Sequence, residues 1–195
     1  MHTRLGLDSA SDYAGFGSGE GKCTNVTWSS TGAVAGNALS FACSMTANTG
    51  GTPNRAEGTL TLKESVSSEG IKGILFYVDF SRVDPDTSKA GPVASITLNG
   101  NDYRSNYGDK IGYYYLNGEW VQTTATNACR MQLPTGFAGW VYVPITSYTG
   151  AGTLYNAETG VGVAGVEITN MNLYTDYYTY SDQKSITFDE IIFVK

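Results

Sequence analysis

Apolar residues in this chain return at every second position, and almost nowhere at the three- and four-residue spacing of a helix. In GILFYVDF (73–80), Ile74, Phe76, Val78 and Phe80 fall on one side, and Tyr77 and Asp79 on the other. Successive side chains of a strand point to opposite faces, so such a run reads as a strand with one buried face. Similar runs, separated by clusters of Gly, Asn, Asp and Pro, predict strands at about 25–30, 37–46, 57–65, 71–80, 93–99, 110–116, 119–126, 129–133, 138–145, 165–174 and 185–194. Many short strands without helices imply an all-β, two-sheet antiparallel β-sandwich. No repeat or linker divides the chain, so residues 1–195 are expected to form one domain, with 1–10 read as vector-derived or linker residues.

Charge narrows the partners. The chain has 195 residues, with 12 Lys+Arg against 18 Asp+Glu, a net charge of −6. Nucleic acid and anionic membranes both need a basic patch, so neither is an expected partner. No apolar run is long enough to span a bilayer, and no membrane insertion is expected. Only 15% of residues are charged, while 24 are Gly and 14 are Tyr. That composition suits a secreted or cell-surface β-protein kept soluble by hydroxyls and amides. The opening MHTRLGLDSASDY has no apolar signal core, which predicts a monomeric piece of a longer secreted chain.

Catalytic chemistry has little to stand on. His2 is the single histidine, which excludes histidine triads and multi-histidine metal sites. There is no GxSxG elbow, HExxH pair or phosphate-cradling glycine loop. Glu57, Glu64, Glu119 and Glu167 are scattered, and adjacent Asp189 and Glu190 point to opposite faces of one strand. Most glycosidases need two carboxylates facing each other about 5–10 Å apart, and no such pair is legible. Three cysteines are present, none in CxxC spacing. Cys43 is in phase with Leu39 and Phe41, and Cys129 with Met131 and Leu133, so both are expected to be buried and unpaired. A Cys23–Cys43 pairing stays open.

Longer motifs add a resemblance. GFAGWVYVPITSY (136–148), then VEITNMNLYTD (166–176) and SITFDEIIFVK (185–195), resemble the C-terminal half of galactose-binding-domain-like jelly rolls. These are β-sandwich carbohydrate-binding modules of bacterial polysaccharide-degrading enzymes and cell-surface proteins. GNALSFACS (36–44) and GIKGILFYVDF (70–80) fall where that fold places early strands, so the resemblance covers most of the chain. It implies a polysaccharide or oligosaccharide ligand and no required cofactor. Many such modules open with Asp-Phe-Glu, whose carboxylate helps to hold a structural calcium. Here DYAGF (12–16) puts Ala14 in the place of that Glu. Asp189 and Glu190 then either hold calcium with backbone carbonyls, or cap a sheet edge or meet a lysine.

The sharpest local feature is KIGYYYLNGEWVQ (110–122). Asn117-Gly118 predicts a two-residue type I′ turn, since both positions need positive φ. Tyr115 then faces Trp120, and Tyr113 faces Gln122, on the side opposite Tyr114, Leu116 and Val121, which are read as core. Aromatic rings held in water offer a stacking surface for sugars, at small entropic cost for side chains with two χ angles. Tyr77 and Asp79 form a candidate hydroxyl-binding pair, and Tyr103, with Asp102, Arg104 and Tyr107, a candidate groove wall. TDYYTYSDQ (175–183) is a second candidate platform, whereas Trp140 and Trp28 are read as structural. The expected function is non-catalytic polysaccharide binding. A starch-like α-glucan is favoured, because two inclined rings at a tight turn suit a curved chain. A structural or adhesion module that contacts protein is the other reading, and would cover the Tyr115–Trp120 face.

Overall fold

A computed structural model describes residues 2–18, 23–43, 55–83, 92–100, 102–105, 112–123, 125–127, 130–145, 148–150, 165–176 and 185–195. Sixteen strands are found among them, with one short 3-10 turn at Ala10–Asp12. The front sheet runs β10 (Glu119–Thr123), β9 (Gly112–Leu116), β13 (Ala138–Pro144), β6 (Gly73–Asp79), β16 (Ile186–Val194), β4 (Ala38–Cys43) and β3 (Cys23–Ser29). A short β1 (Thr3–Leu5) also pairs with β16. The back sheet runs β11 (Ala125–Asn127), β12 (Arg130–Gln132), β7 (Val93–Leu98), β15 (Glu167–Asp176), β5 (Arg55–Ser67) and β2 (Gly15–Ser18). There β8 (Tyr103–Ser105) joins β7, and β14 (Tyr148–Gly150) joins β8. Neighbouring strands are antiparallel, and from β5 onward the chain crosses repeatedly between the two sheets.

Each segment predicted from period-two patterning carries strand, but the single strand expected at 119–126 is two, β10 in the front sheet and β11 in the back. The short β1, β2, β8 and β14 are additional.

The core lies between the inner faces. Ile74, Phe76, Val78 and Phe80 are fully buried, as their alternation predicts. Phe188 on β16 stacks on Phe41, with centroids 5.9 Å apart, and on Phe76 at 6.1 Å. Trp28 meets Phe16 edge-on at 6.1 Å and packs against this cluster, in keeping with a core role.

Two expectations are corrected here. Within the segment 1–10 read as linker, residues 3–7 belong to the fold: β1 pairs with β16, Leu7 is fully buried, and the Tyr13 hydroxyl donates to the Gly6 carbonyl at 2.6 Å. Leu116 is not core either, being 39% exposed. The register pairs β9 with β13 only at Tyr113 and Tyr114, so the hairpin tip overhangs the sandwich.

Cys23 and Cys43 are directly opposed in the β3–β4 pair. Opposed antiparallel residues have Cα atoms roughly 4.5–5.5 Å apart, inside the range a disulfide spans. The Cys23 thiol donates to the Glu57 carbonyl at 3.1 Å. Exchange with oxidised glutathione, which takes up the two electrons, is expected to give a Cys23–Cys43 disulfide. A non-reducing peptide map tests this, and failure to recover the linked peptide counts against it. Cys129 lies outside the described residues.

Candidate functional site

The hairpin adopts the expected register: Trp120 opposes Tyr115, Val121 opposes Tyr114, and Gln122 opposes Tyr113. Asn117 and Gly118 have φ of 52° and 89°, which the type I′ turn demands. What the hairpin alone does not reveal is its neighbour. Tyr113 and Tyr114 pair with Tyr142 and Val141 of β13, Trp140 opposes Tyr77 of β6, and Tyr77 opposes Asp189 of β16. Opposed residues share a face, and Val141, Phe76, Val78 and Phe188 are buried between the sheets. Trp120, Tyr115, Trp140 and Tyr77 therefore line one row on the outer face, one ring from each of four adjacent strands. Gln122, Tyr113, Tyr142 and Leu75 form a second row beside it.

Ring contacts hold the floor together. Tyr115 and Trp120 lie 5.3 Å apart at an interplanar angle of 58°. Tyr77 meets Trp140 edge-on at 5.7 Å, and Tyr113 lies 6.4 Å from Tyr142. Tyr142 lies flat because Gly73 leaves the space: a Cβ there would run into the tyrosine ring. The Tyr142 hydroxyl donates to the Lys72 carbonyl at 3.2 Å. Burial pushes the phenols of Tyr77 and Tyr142 above their ordinary pKa, so both stay neutral hydroxyls. Tyr115 and Trp120 are 41% and 49% exposed, while Trp140 and Tyr77 are half-buried. Exposure falls along the row away from the hairpin.

Beyond Tyr77 the same face is roofed. Asp79, Thr187, Ser40 and Asp189 all point outward from β6, β16 and β4, yet all are buried. Their cover is the segment Ser30–Gly36. Its Val34 N–H donates to Asp189 Oδ2 at 2.8 Å, and its Thr31 carbonyl accepts from Arg82 Nη2 at 3.4 Å. Gly32 and Gly36 have φ of 76° and 67°, where a side chain is strained. A Cβ on Gly32 would come within 2.7 Å of Asp79 Oδ2.

This roof revises the predicted site. Asp79 is on the predicted face but is covered, and its Oδ1 accepts from the Ser81 N–H at 2.7 Å and hydroxyl at 2.6 Å. It is removed from the sugar-contacting set. Tyr103 is also corrected: at 4% exposure it belongs to the core of the back sheet, not to a groove wall. Tyr107 and residues 177–183 of the second tyrosine platform lie outside the described residues. Trp140, read as structural, stands in the row between Tyr115 and Tyr77. Its alternation away from Val141 and Val143 was the available signal.

The metal reading is corrected as well. Glu190 accepts from both Nε and Nη2 of Arg4 in a bidentate ion pair, so it meets a cation carried by the chain itself. Asp189 is occupied by backbone N–H groups, Val34 on Oδ2 and Glu190 on Oδ1, each at 2.8 Å. Burial holds its carboxyl above the ordinary range, and those same bonds offset part of the rise. No cluster of three metal-ligating side chains occurs among the described residues. These two carboxylates do not fit a calcium ion. Chelation with EDTA is expected to leave the melting temperature unchanged. Arg4→Met should lower it, because it leaves a buried Glu190 carboxylate without its partner. A fall in melting temperature on chelation, reversed by added calcium, would restore the metal site.

No protein-family model and no curated protein matches the sequence. Solved structures do match in fold. A family 11 carbohydrate-binding module from Clostridium thermocellum, in complex with a beta-1,3-1,4-mixed-linked tetrasaccharide, is 14% identical, with a TM-score of 0.50, over 99% of this chain and 95% of that one. A family 28 module specific for non-crystalline cellulose is 14% identical, with a TM-score of 0.51, over 97% and 93%. A family 27 module from Caldicellulosiruptor saccharolyticus, in complex with mannohexaose, is 11% identical, with a TM-score of 0.50, over 98% and 97%. The galactose-binding-like β-sandwich of carbohydrate-binding modules, implied by the sequence motifs, is the fold of this chain.

Proposed function

We propose that this domain is a non-catalytic polysaccharide-binding module, secreted or displayed at a cell surface, which holds a glycan chain on the outer face of its front sheet. The observation that carries this reading is the row Trp120, Tyr115, Trp140 and Tyr77, aromatic at each of four successive strands. Sugar rings present C–H faces that pack on such π-surfaces, and Gln122, Tyr113 and the phenol hydroxyls border the row with hydrogen-bonding groups. Asp79 and Asp189, the carboxylates at its far end, are buried and engaged by protein donors, so among the described residues the row has no acid–base pair.

A β-linked glucan or mannan fits better than an α-glucan. The α-glucan expectation rested on two inclined rings at one turn. Three inter-strand steps of about 4.8 Å give a straight row about 14 Å long, roughly three hexose rings of an extended chain. The solved modules of like fold are described with a mixed-linked β-tetrasaccharide, non-crystalline cellulose and mannohexaose, and none of these is an α-glucan.

The test is affinity electrophoresis of the domain in gels containing mixed-linkage β-glucan, hydroxyethylcellulose, mannan, xylan or soluble starch. Retardation is expected in one or more of the β-linked gels and not in starch. Retardation by starch alone would return the ligand to an α-glucan. Unchanged mobility in every gel would favour the protein-contacting module instead.

A further inference from the structure

The aromatic row is open at one end and shut at the other. Its outer end is β10, the edge of the front sheet, where Trp120 is half exposed and the hairpin tip overhangs the core. At the inner end the row runs from Tyr77 to Asp189, which is 1% exposed beneath the Ser30–Gly36 segment. Because this segment covers outward-pointing side chains, its backbone sits one side-chain layer above the sheet, at the height a stacked sugar would occupy.

The cover is anchored along its length. Arg82 holds Thr31, Asp189 holds Val34, and Asp8 Oδ1 accepts from the Asn37 N–H at 2.8 Å just past Gly36. Arg82 also donates to Thr187 Oγ1, whose partner Ser40 Oγ lies 2.7 Å away, so the floor under the segment is tied by its own polar bonds. Val34 is 45% exposed and, among the described residues, is the one exposed large apolar side chain away from the hairpin. It stands on the segment that ends the row, where a terminal sugar ring would meet it.

We infer that the platform is one-ended: it takes the terminal segment of a glycan chain, with Ser30–Gly36 as the end wall and Val34 against the last ring, and excludes chains that would pass across the whole sheet. This rests on the polysaccharide-binding reading above and adds its topology. A chain lying along the row can leave over β10 but not over β16.

Isothermal titration with length-fractionated mixed-linkage β-glucan tests it, with Trp120→Ala as the control for the platform. A one-ended site saturates at a single module per chain, whatever the chain length. It also leaves a cyclic β-glucan, which has no ends, unbound. Affinity for oligosaccharides should rise with length until the row is filled and then level off. Stoichiometry that grows in proportion to chain length, or a cyclic glucan bound as tightly as a linear one, overturns the inference while leaving the platform intact. Binding that survives Trp120→Ala, or the absence of binding to any linear β-glucan or mannan, fails the platform reading itself.

Discussion

Trp120→Ala is expected to weaken polysaccharide binding by at least about thirtyfold, some 2 kcal/mol, the usual cost of deleting an aromatic hot spot. The ring is 49% exposed, stands at the open end of the row, and meets Tyr115 at a tilt with centroids 5.3 Å apart, so its loss removes one stacking surface and frees a second to reorient. Folding should barely notice. A cross-strand aromatic pair at an exposed position contributes up to about 1 kcal/mol, and most surface substitutions cost less. Tyr114→Ala is the counterpart. That ring points to the other face and packs edge-on against Phe137 at 5.5 Å, so its removal opens space beside the core. A stability cost of about 2 kcal/mol is expected for a half-buried ring, with binding at low temperature little changed. Melting temperature and binding must be measured on both variants. If Trp120→Ala melts early while Tyr114→Ala is the variant that loses glycan, the two faces of the hairpin are reversed. If both bind like the parent, the platform is elsewhere.

The hairpin register was legible from thirteen residues because Asn117-Gly118 dictates the turn, and the turn dictates every pair beyond it. Alternation likewise placed Trp140 and Tyr142 opposite Val141 and Val143. It did not say that β13 lies beside β9, because sheet order is set by packing between segments far apart in the chain. Trp140 consequently looked like an isolated structural tryptophan and not the middle of a row. Asp79 was placed on the right face for the same local reason. Its cover, Ser30–Gly36, comes from the β3–β4 connection more than forty residues upstream, and small, weakly patterned residues give no hint of where they rest. Tyr103 sits in a three-residue strand, too short for a period to assign its face. The Thr3–Leu5 strand was invisible for a similar reason: its position is decided by Arg4 reaching Glu190 across 186 residues of sequence. Long alternating strands speak for themselves, whereas short strands and roofing loops are decided by their distant neighbours.

The largest loss of stability is expected from Phe188→Ala. β16 is flanked by β6 on one side and by β4 and β1 on the other, so Phe188 projects into the middle of the core with no exposed surface. It stacks on Phe41 and Phe76 at once, 5.9 and 6.1 Å away, and ties together three neighbouring strands of the front sheet. Truncating a buried phenylalanine costs about 3–5 kcal/mol, from lost transfer energy plus a cavity that rigid neighbours fill only in part. Both neighbours here are aromatic rings held by β-strands, which favours the upper part of that range. A domain of this size is stable by about 5–15 kcal/mol and loses roughly 2–4 °C per kcal/mol, so the melting temperature should fall by about 10 °C or more. Phe188→Leu should fall less, since a branched aliphatic side chain fills much of the space. Below its melting transition the alanine variant should still bind glycan, because Phe188 points away from the aromatic row. Thermal unfolding followed by circular dichroism, with binding measured well below the transition, separates these effects. A variant that melts within two or three degrees of the parent would mean that Phe188 does not sit at the centre of the sandwich, and that β16 is rotated or shifted in register against β6. A shift of that kind would also remove Asp189 from the end of the aromatic row, and with it the anchor that holds Val34 over the front sheet.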